Sequence, residues 1–276
     1  MSVMLHTSNT AAKRNVRDPR CGGQVVTDTT TNVADANLDP QRIPKHIAVI
    51  MDGNGRWARK RELPRLQGHQ QGYKTLKSVV NWAADLGVEA LTAYAFSSEN
   101  WNRPQSEVDG IMQLIQYAAK AELDMMKREG VHITMSGRLE LLPDSVRGQL
   151  EESSEETKGN TRIVLNIAVN YGGRNEIVDA ARKAAQMVVD GKLRVEEIDE
   201  EVLSGLMYHP ELPDPDLLIR TAGEMRVSNF LLWETAYTEL FVTQTLWPDF
   251  SREDLIEAIR SYQNRTRKFG KVVEQE

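Results

Sequence analysis

His46-Ile-Ala-Val-Ile-Met-Asp-Gly-Asn-Gly-Arg-Trp57 passes within a dozen residues from a buried strand to a place for an anion. Ile47 to Met51 is a short apolar run, mostly β-branched, and Pro44 just before it disfavours a helix. An uninterrupted apolar run of this kind predicts a central strand of a parallel sheet, covered on both faces. The strand stops at Asp52. Gly53 and Gly55 permit a tight turn and leave N–H groups unobstructed, Asn54 tolerates the left-handed region, and Arg56 adds a planar cation. A diphosphate fits such a turn. The carboxylate of Asp52 would repel it unless a divalent cation lay between them, so the spacing points to a Mg²⁺-assisted anion site. An ordinary strand-to-helix turn explains a single Gly-x-Gly equally well, and the rest of the chain has to decide.

The chain has 276 residues, room for one large α/β domain or two small ones, and its 40% hydrophobic content is that of a packed core. The longest apolar runs are far short of the roughly 18 residues of a spanning helix. Contact with lipid would therefore be peripheral, through a groove, a patch or the substrate itself. A net charge of -6 argues against a general nucleic-acid binder. Cys21 is the sole cysteine, which leaves no disulfide framework and no cysteine metal site, and fits a reducing compartment such as the cytoplasm. The first 40 or so residues lack hydrophobic periodicity and include the polar run Thr27, Asp28, Thr29, Thr30, Thr31, the pattern of a disordered tail. They hold no signal-peptide core. Lys13, Arg14 and Arg17 precede the first acidic residue, Asp18, which leaves a plastid-type transit peptide open.

Beyond the first strand, Arg65 opens an amphipathic helix through Tyr73, Leu76, Val79, Val80 and Trp82 that ends near Gly87. Arg65 and His69 share a face near its start, where the helix dipole favours anionic oxygen; a structural role for His69 is the competing reading. Ala90 to Phe96 reads as the second strand, and Ser97-Ser-Glu-Asn-Trp-Asn-Arg103 follows at its C-terminal end, where open α/β sheets bind ligands. That loop suits a polar substrate with an apolar arm, or else is a turn with Trp101 plugging the core. Ser106, with Asp109 as capping partner, predicts a long helix to about Glu129 whose broad apolar face lines either a cavity or more core. Strands are expected at Val131 to Met135 and Ile163 to Val169, and helices at Asp144 to Thr157, Asn175 to Val189 and Ile198 to Met207. Asp216-Leu-Leu-Ile-Arg-Thr-Ala-Gly-Glu-Met-Arg-Val-Ser-Asn-Phe230 repeats the opening logic: a strand, a glycine-containing loop and a Ser/Asn helix start. Arg220, Arg226 and Ser228 match phosphate geometry, though surface ion pairs would also account for the arginines. A last strand at Glu239 to Thr243 and a terminal helix from Ser251 to Lys268 complete the reading.

Taken together, Met51-Asp-Gly-Asn-Gly-Arg-Trp-Ala58, Gly68-His69, Tyr94-Ala-Phe-Ser-Ser-Glu-Asn-Trp-Asn-Arg-Pro104, Asn170-Tyr-Gly-Gly-Arg174, Ile219-Arg-Thr, Ser228-Asn-Phe-Leu-Leu-Trp233 and Leu246-Trp-Pro-Asp-Phe250 resemble the cis-prenyltransferases, most closely the bacterial undecaprenyl diphosphate synthases. The resemblance runs from about Pro44 to Gly270. It implies one α/β domain with a central, mostly parallel sheet of about six strands flanked by helices and an apolar tunnel beside the sheet. The organisation expected is a disordered tail over 1–42, the catalytic domain over 43–270 and a short tail over 271–276.

The implied reaction joins isopentenyl diphosphate to an allylic diphosphate, farnesyl diphosphate being the expected starter, with Mg²⁺ as cofactor. The product would be a long cis-polyprenyl diphosphate such as the precursor of the lipid carrier for cell-wall glycans. By the resemblance Asp52 is the essential carboxylate near Mg²⁺ and Glu239 a second metal-associated one. Gly53, Asn54, Gly55, Arg56, Trp57, Arg65 and His69 hold the allylic diphosphate. Arg220, Arg226, Val227 and Ser228 hold the isopentenyl diphosphate. Ser97, Ser98, Glu99, Asn100, Trp101 and Arg103 place the reacting carbons. The family assigns proton removal to the Asn100 position, but a neutral amide is too weak a base at neutral pH; Asn100 is read here as orienting, with a diphosphate oxygen or water taking the proton. Ala222, Met225 and Gln244 depart from the usual pattern and bear on substrate preference. The expected tunnel runs between the second strand and the long helix, with Ala95 facing Ile111, Leu114 and Ile115. A homodimer through Glu239–Thr243 and Phe230–Trp233 is also implied. A shorter-chain synthase or a noncatalytic partner subunit of the same fold are the alternatives. Paired Asp-rich motifs of trans-prenyltransferases and a P-loop are both missing from the sequence.

Overall fold

The computed structural model describes residues 36–265. Strands β1 (His46–Ile50), β2 (Ala90–Ser97), β3 (Val131–Ser136), β4 (Ile163–Tyr171), β5 (Leu217–Arg220) and β6 (Glu239–Val242) form one sheet in the order β3-β4-β2-β1-β5-β6. Every pairing is parallel. β1 is buried throughout, as its unbroken apolar run requires: helices cover one face, and Phe230, Leu231 and Tyr171 pack on the other. The chain proceeds from β1 to one side through β2 and returns to pair β5 on the other. The strand order therefore switches at β1, and Ile50 lies in register with Arg220 at that switch.

One face of the sheet packs against α2 (Arg65–Asp85) and α8 (Arg252–Gln263): Ile47, Val49, Leu91 and Ile219 join Val79, Val80, Ala83, Leu255 and Ile259 in the largest core cluster. Helix α2 comes close to α1 (Asn54–Lys60) because Gly68 has no side chain; a Cβ there would lie 2.1 Å from the Asn54 carbonyl oxygen. The other face carries a polar row across four strands. His46 Nε2 bonds Thr92 Oγ1 at 2.7 Å, and the Asn166 amide donates to Thr92 Oγ1 and Ser136 Oγ. Burial pushes the His46 pKa down, so it sits in this network as a neutral ring.

Several boundaries differ from the sequence reading. The tail expected over 1–42 gives way to packed chain at Ala36: Ala36 and Leu38 are buried, and the Gln263 amide donates to the Asp39 and Arg42 carbonyls. The remainder of that tail, and the segment from 266 that includes Lys268 and the C-terminal tail, lie outside the described residues. The long helix begins at Gln105 behind Pro104, whose fixed φ sets the start one residue before Ser106, and Asp109 accepts from the Gln105 amide rather than closing a cap. It also divides, into α3 (Gln105–Ala121) and α4 (Leu123–Arg128). α5 (Asp144–Thr157) matches expectation, α6 (Gly173–Val189) starts earlier, and α7 (Glu200–Ser204) is short. No helix follows Ser228: Ser228, Asn229 and Leu231 all have positive φ, which interrupts the i→i−4 ladder. Phe230 and Leu231 pack inside the chain against Ala48, Ile50 and Tyr171, so they are not available as a dimer surface. Among the described residues no helix is long and apolar enough to cross a membrane.

Candidate active site

The site forms where β1 and β5 end side by side. Past Ile50 the backbone reaches Gly53 at φ 110, a conformation strained for any L side chain, and a Cβ there would also meet Leu246 at 3.0 Å. Asn54 starts α1 in helical geometry, so the left-handed position expected of it falls on Gly53 instead. Arg220 closes β5 with a side chain only 7% exposed. Its guanidinium donates to Asp52 Oδ2 at 2.9 Å, to Ser228 Oγ at 2.7 Å and to the Arg226 carbonyl. Arg56 approaches the other Asp52 oxygen at 3.3 Å and donates to the Ala222 carbonyl at 2.9 Å. Thr221 Oγ1 donates to the Asp52 carbonyl at 2.6 Å. The carboxylate is thus clasped by two fixed cations, one from each informative stretch of sequence.

A polar cavity of about 660 Å³ opens beside this pair, lined by Asp52 and the turn Gly53-Asn54-Gly55 together with Arg56, Arg59, Arg65, His69 and Arg103. Among the described residues that line it, Asp52 is the one carboxylate beside four arginines, so the cavity attracts anions. Arg65, Arg103 and His69 all converge on Glu107, at 3.1, 3.0 and 3.5 Å. Glu107 is a site residue that sequence reasoning missed; the four-residue spacing from Arg103, across the start of α3, was its only signal. Burial pushes the His69 pKa down, and the charge of Arg103 adds to that against the pull of Glu107, so the ring is neutral at physiological pH. Four buried polar side-chain atoms among the described residues lack a hydrogen-bond partner: two, Asn54 Oδ1 and His69 Nε2, belong to residues that line this cavity, and a third, Arg220 Nε, to the arginine that holds Asp52 beside it. Orphans concentrated in one place are what a ligand's polar head would satisfy.

The loop after β2 is fixed by its own contacts. Asn100 Oδ1 accepts from the Ser97 N–H at 3.2 Å, Trp101 Nε1 donates to Asn170 Oδ1 at 2.7 Å, and Asn229 donates to Glu99 at 2.8 Å. Burial raises the Glu99 pKa, but the bonds from Asn229 and from the Ser97 and Ser98 hydroxyls outweigh it and leave the carboxylate below its ordinary range. Ser98 lies against Gly172, and Val227 packs beside Tyr171 and Phe230. Three residues chosen from sequence stand apart. Trp57 donates to Asp249 at 2.6 Å and stacks under Arg61, away from the polar cavity. The Arg226 guanidinium is largely exposed and pairs with Glu224, reaching Arg220 only through its carbonyl. Glu239 opens β6 in register with Leu217 and hence with Ile47, and it pairs with Arg265 at 2.6 Å. Asp52 lies five residues further along the strand direction, an offset of about 16 Å at ~3.3 Å per residue, and two strands across. Within one chain, then, Glu239 and Asp52 cannot share an ion, because parallel strands place their starts and ends at opposite edges of the sheet.

Met51, Asn54 and His69 line a second cavity as well, of about 910 Å³, which runs between the sheet and α2 and α3. Ala95, Ile111, Leu114 and Ile115, expected as tunnel walls, all line it. The pairing of β2 with β4 is irregular at this point: Tyr94 opposes Ala168 while Phe96 opposes Val169, leaving Ala95 as the extra residue of a bulge. Below Tyr171, Glu176 accepts from the Tyr171 hydroxyl and the Tyr208 N–H beside buried Glu234, whose Oε2 is the fourth orphan. Burial and the charge of Glu176 push the Glu234 carboxyl up to about 8.

Fold and site define an α/β protein with an arginine-lined cavity at the sheet's switch point and an apolar cavity beside it. The family profile described as "Putative undecaprenyl diphosphate synthase" matches residues 50–270. The isoprenyl transferase of Heliobacterium mobile is 48% identical over 250 residues, 91% of this chain and 96% of the relative. That of Thermotoga maritima is 49% identical over 232 residues, 84% of this chain and 99% of the relative. The crystal structure of lavandulyl diphosphate synthase from Lavandula x intermedia, in complex with dimethylallyl diphosphate, superposes with a TM-score of 0.81 at 35% identity, covering 84% of this chain and all of that one. A probable undecaprenyl diphosphate synthase from Campylobacter jejuni gives 0.70 at 33% identity over 83% and 99%. The chain belongs to the undecaprenyl diphosphate synthase family of isoprenyl transferases.

Proposed function

We propose that the chain is a Mg²⁺-dependent cis-prenyltransferase that condenses isopentenyl diphosphate with an allylic diphosphate, farnesyl diphosphate as starter, to a long-chain product such as undecaprenyl diphosphate, precursor of the lipid carrier for cell-wall glycans. The observation that carries this reading is the adjacency of the two cavities: a site with four arginines shares Met51, Asn54 and His69 with an apolar cavity. The allylic diphosphate binds between the Gly53–Arg56 turn, Arg65, His69 and Arg103. Arg220 and Ser228 receive the isopentenyl diphosphate, with the Arg226 side chain turning inward from its exposed pair with Glu224.

Asp52 is the protein ligand for Mg²⁺. No group of three metal-binding side chains occurs among the described residues, and one carboxylate with substrate phosphate oxygens is the usual donor set for this ion. Mg²⁺ held there would supply charge neutralisation for a departing diphosphate. Arg56 and Arg65 add fixed positive charge where negative charge accumulates, and His69, held neutral, donates or accepts without adding charge. Asn100 already spends its carbonyl oxygen on Ser97, leaving its amide N–H group for the substrate, which suits orientation and not proton removal. Self-association, the remaining part of the reading, is supported by edge strand β6, where Leu240 is 47% and neighbouring Tyr237 71% exposed.

The test is to incubate the chain with Mg²⁺, isopentenyl diphosphate and allylic diphosphates of several lengths, and to size the products. Polyprenyl diphosphates should form, and should vanish with excess chelator; Asp52→Ala should fold and lose turnover by orders of magnitude. A folded Asp52→Ala variant with near-normal turnover would refute the assignment. Short products alone would favour the shorter-chain reading, and their absence under all conditions a noncatalytic subunit.

A further inference from the structure

The apolar cavity is polar at only two levels among the described residues: Asn54 and His69 at its mouth, and Tyr73, Lys77 and Glu122 further in. Lys77 follows His69 on α2 by two turns, about 12 Å along the axis. Its Nζ lies 2.7 Å from Glu122 Oε2, and the Tyr73 hydroxyl donates to Oε1 of the same carboxylate. Glu122 occupies the interruption between α3 and α4, where its φ of -99 and ψ of -3 stay in the right-handed region but depart from regular helix values. The interruption therefore falls on a residue that reaches across to α2.

The three side chains form a bridge over the seam between α2 and the α3–α4 junction. Lys77 is 39% exposed and Glu122 17%, so the bridge is the cavity's wall toward water and is not its floor. Val80, Met126, Ile133, Leu150 and Leu165 continue the cavity beyond it. Burial raises the Glu122 pKa, but Lys77 and Tyr73 outweigh that and keep it ionised. Hydrocarbon laid against this wall would strip water from an ion pair and offer nothing in exchange.

We propose that the Tyr73–Glu122–Lys77 bridge is a chain-length determinant: it closes the side of the tunnel to hydrocarbon and confines the tail to the deep apolar end, so that elongation stops when that end is full. This rests on the reading of the cavity as the tunnel for a growing prenyl chain, and the test separates the two. Calorimetric titration with saturated n-alkyl diphosphates, which cannot react, gives one readout. Affinity should rise about fourfold per methylene while the tail fills the deep end, then level off. In the double variant Lys77→Met/Glu122→Gln the rise should continue to longer tails, because the wall no longer carries an ion pair to desolvate. In the exchanged pair Lys77→Glu/Glu122→Lys it should level off where the unaltered chain does. Product sizing is the second readout: the double variant should extend the longest product by at least one five-carbon unit and the exchanged pair should not, with the first condensation within twofold of normal for both.

The same breakpoint in all three proteins, a shift in the exchanged pair as large as in the double variant, or no length dependence in the unaltered chain would overturn the proposal. If the ladder shifts as expected while no protein forms prenyl products, the bridge stands as a length gauge of a binding tunnel and the transferase reading is the one that fails.

Discussion

Replacing Glu234 by Gln should make the protein more stable, and the gain should depend on pH in a way that identifies its cause. Glu234 is buried beside Glu176, one of its oxygens has no partner, and its carboxyl is pushed from an ordinary value of 4.5 up to about 8 by burial first and by the charge of Glu176 second. Tyr171 and the Tyr208 N–H both donate to Glu176, so at neutral pH the pair keeps one proton and Glu234 carries it. A carboxyl whose pKa is higher folded than unfolded binds protons more tightly in the folded state. Its neutral form is harmless below pH 4.5. As pH rises from there to about 8, the unfolded chain ionises while the folded one must hold its proton, so stability falls through that window and levels off above it. A displacement of that size corresponds to on the order of 5 kcal/mol, an upper bound, since the two carboxylates relax together. Gln fills the same volume and donates to Glu176 without a charge to desolvate. Urea unfolding of both proteins at several pH values should therefore give equal stability near pH 4, a widening gap through neutrality, and a few kcal/mol in favour of the variant at pH 8.5, with m unchanged. Parallel stability curves across that range, or a variant less stable at high pH, would refute the reasoning.

Three further outcomes are expected. Arg220→Ala should lower stability by roughly 3 kcal/mol and raise the KM for isopentenyl diphosphate, because it removes the buried partner of Asp52 and Ser228; Arg226→Ala should raise that KM with little loss of stability, since its guanidinium is exposed, and chemical denaturation beside two-substrate kinetics checks both. Ala222→Gly should stabilise by roughly 1 kcal/mol, because Ala222 has a φ of 70 that costs a side chain and costs glycine nothing; a fall in the unfolding midpoint would contradict this. Ala95→Leu should make the first condensations and accumulate shorter products, since its side chain would fill the cavity opposite Ile111 and Leu114; an unchanged chain-length distribution would place the tunnel elsewhere.

The parts of the fold legible in the sequence are those where one local signal decides. The β1 run, the Asp144–Thr157 helix and the Gly53 turn need only periodicity, β-branching or a missing Cβ, and the structure has them within a residue or two. The segment after Ser228 misled because Ser and Asn serve equally as helix caps and as left-handed turn residues, and only the packing of Phe230 under Tyr94, with ring centroids 4.3 Å apart, selects the turn. Ala36 and Leu38 were hidden for the opposite reason: two apolar residues in a polar stretch have no period, and what orders them is distant Arg260 and Gln263.

The site shows the same division between local and long-range information. The Asp52 turn and Arg220 were each visible, but 168 positions separate them, and their contact depends on which strand lies beside β1. Glu107 was invisible because its importance comes from Arg65 and His69 on another helix. The position of Glu239 was not legible for a related reason, since a motif match carries no direction along a strand. Its distance from Asp52 within one chain follows from parallel pairing alone: β1, β5 and β6 all run the same way, so a residue that opens β6 and a residue that follows β1 must lie at opposite edges. A role for Glu239 at the diphosphate therefore demands a second copy of the chain, and Glu239→Gln should then depress turnover only to the extent that the enzyme acts as an oligomer. Mixing folded Asp52→Ala chains with folded Glu239→Gln chains decides this, because shared sites would regain activity in the mixture that neither has alone, while separate sites would stay at the average of the two.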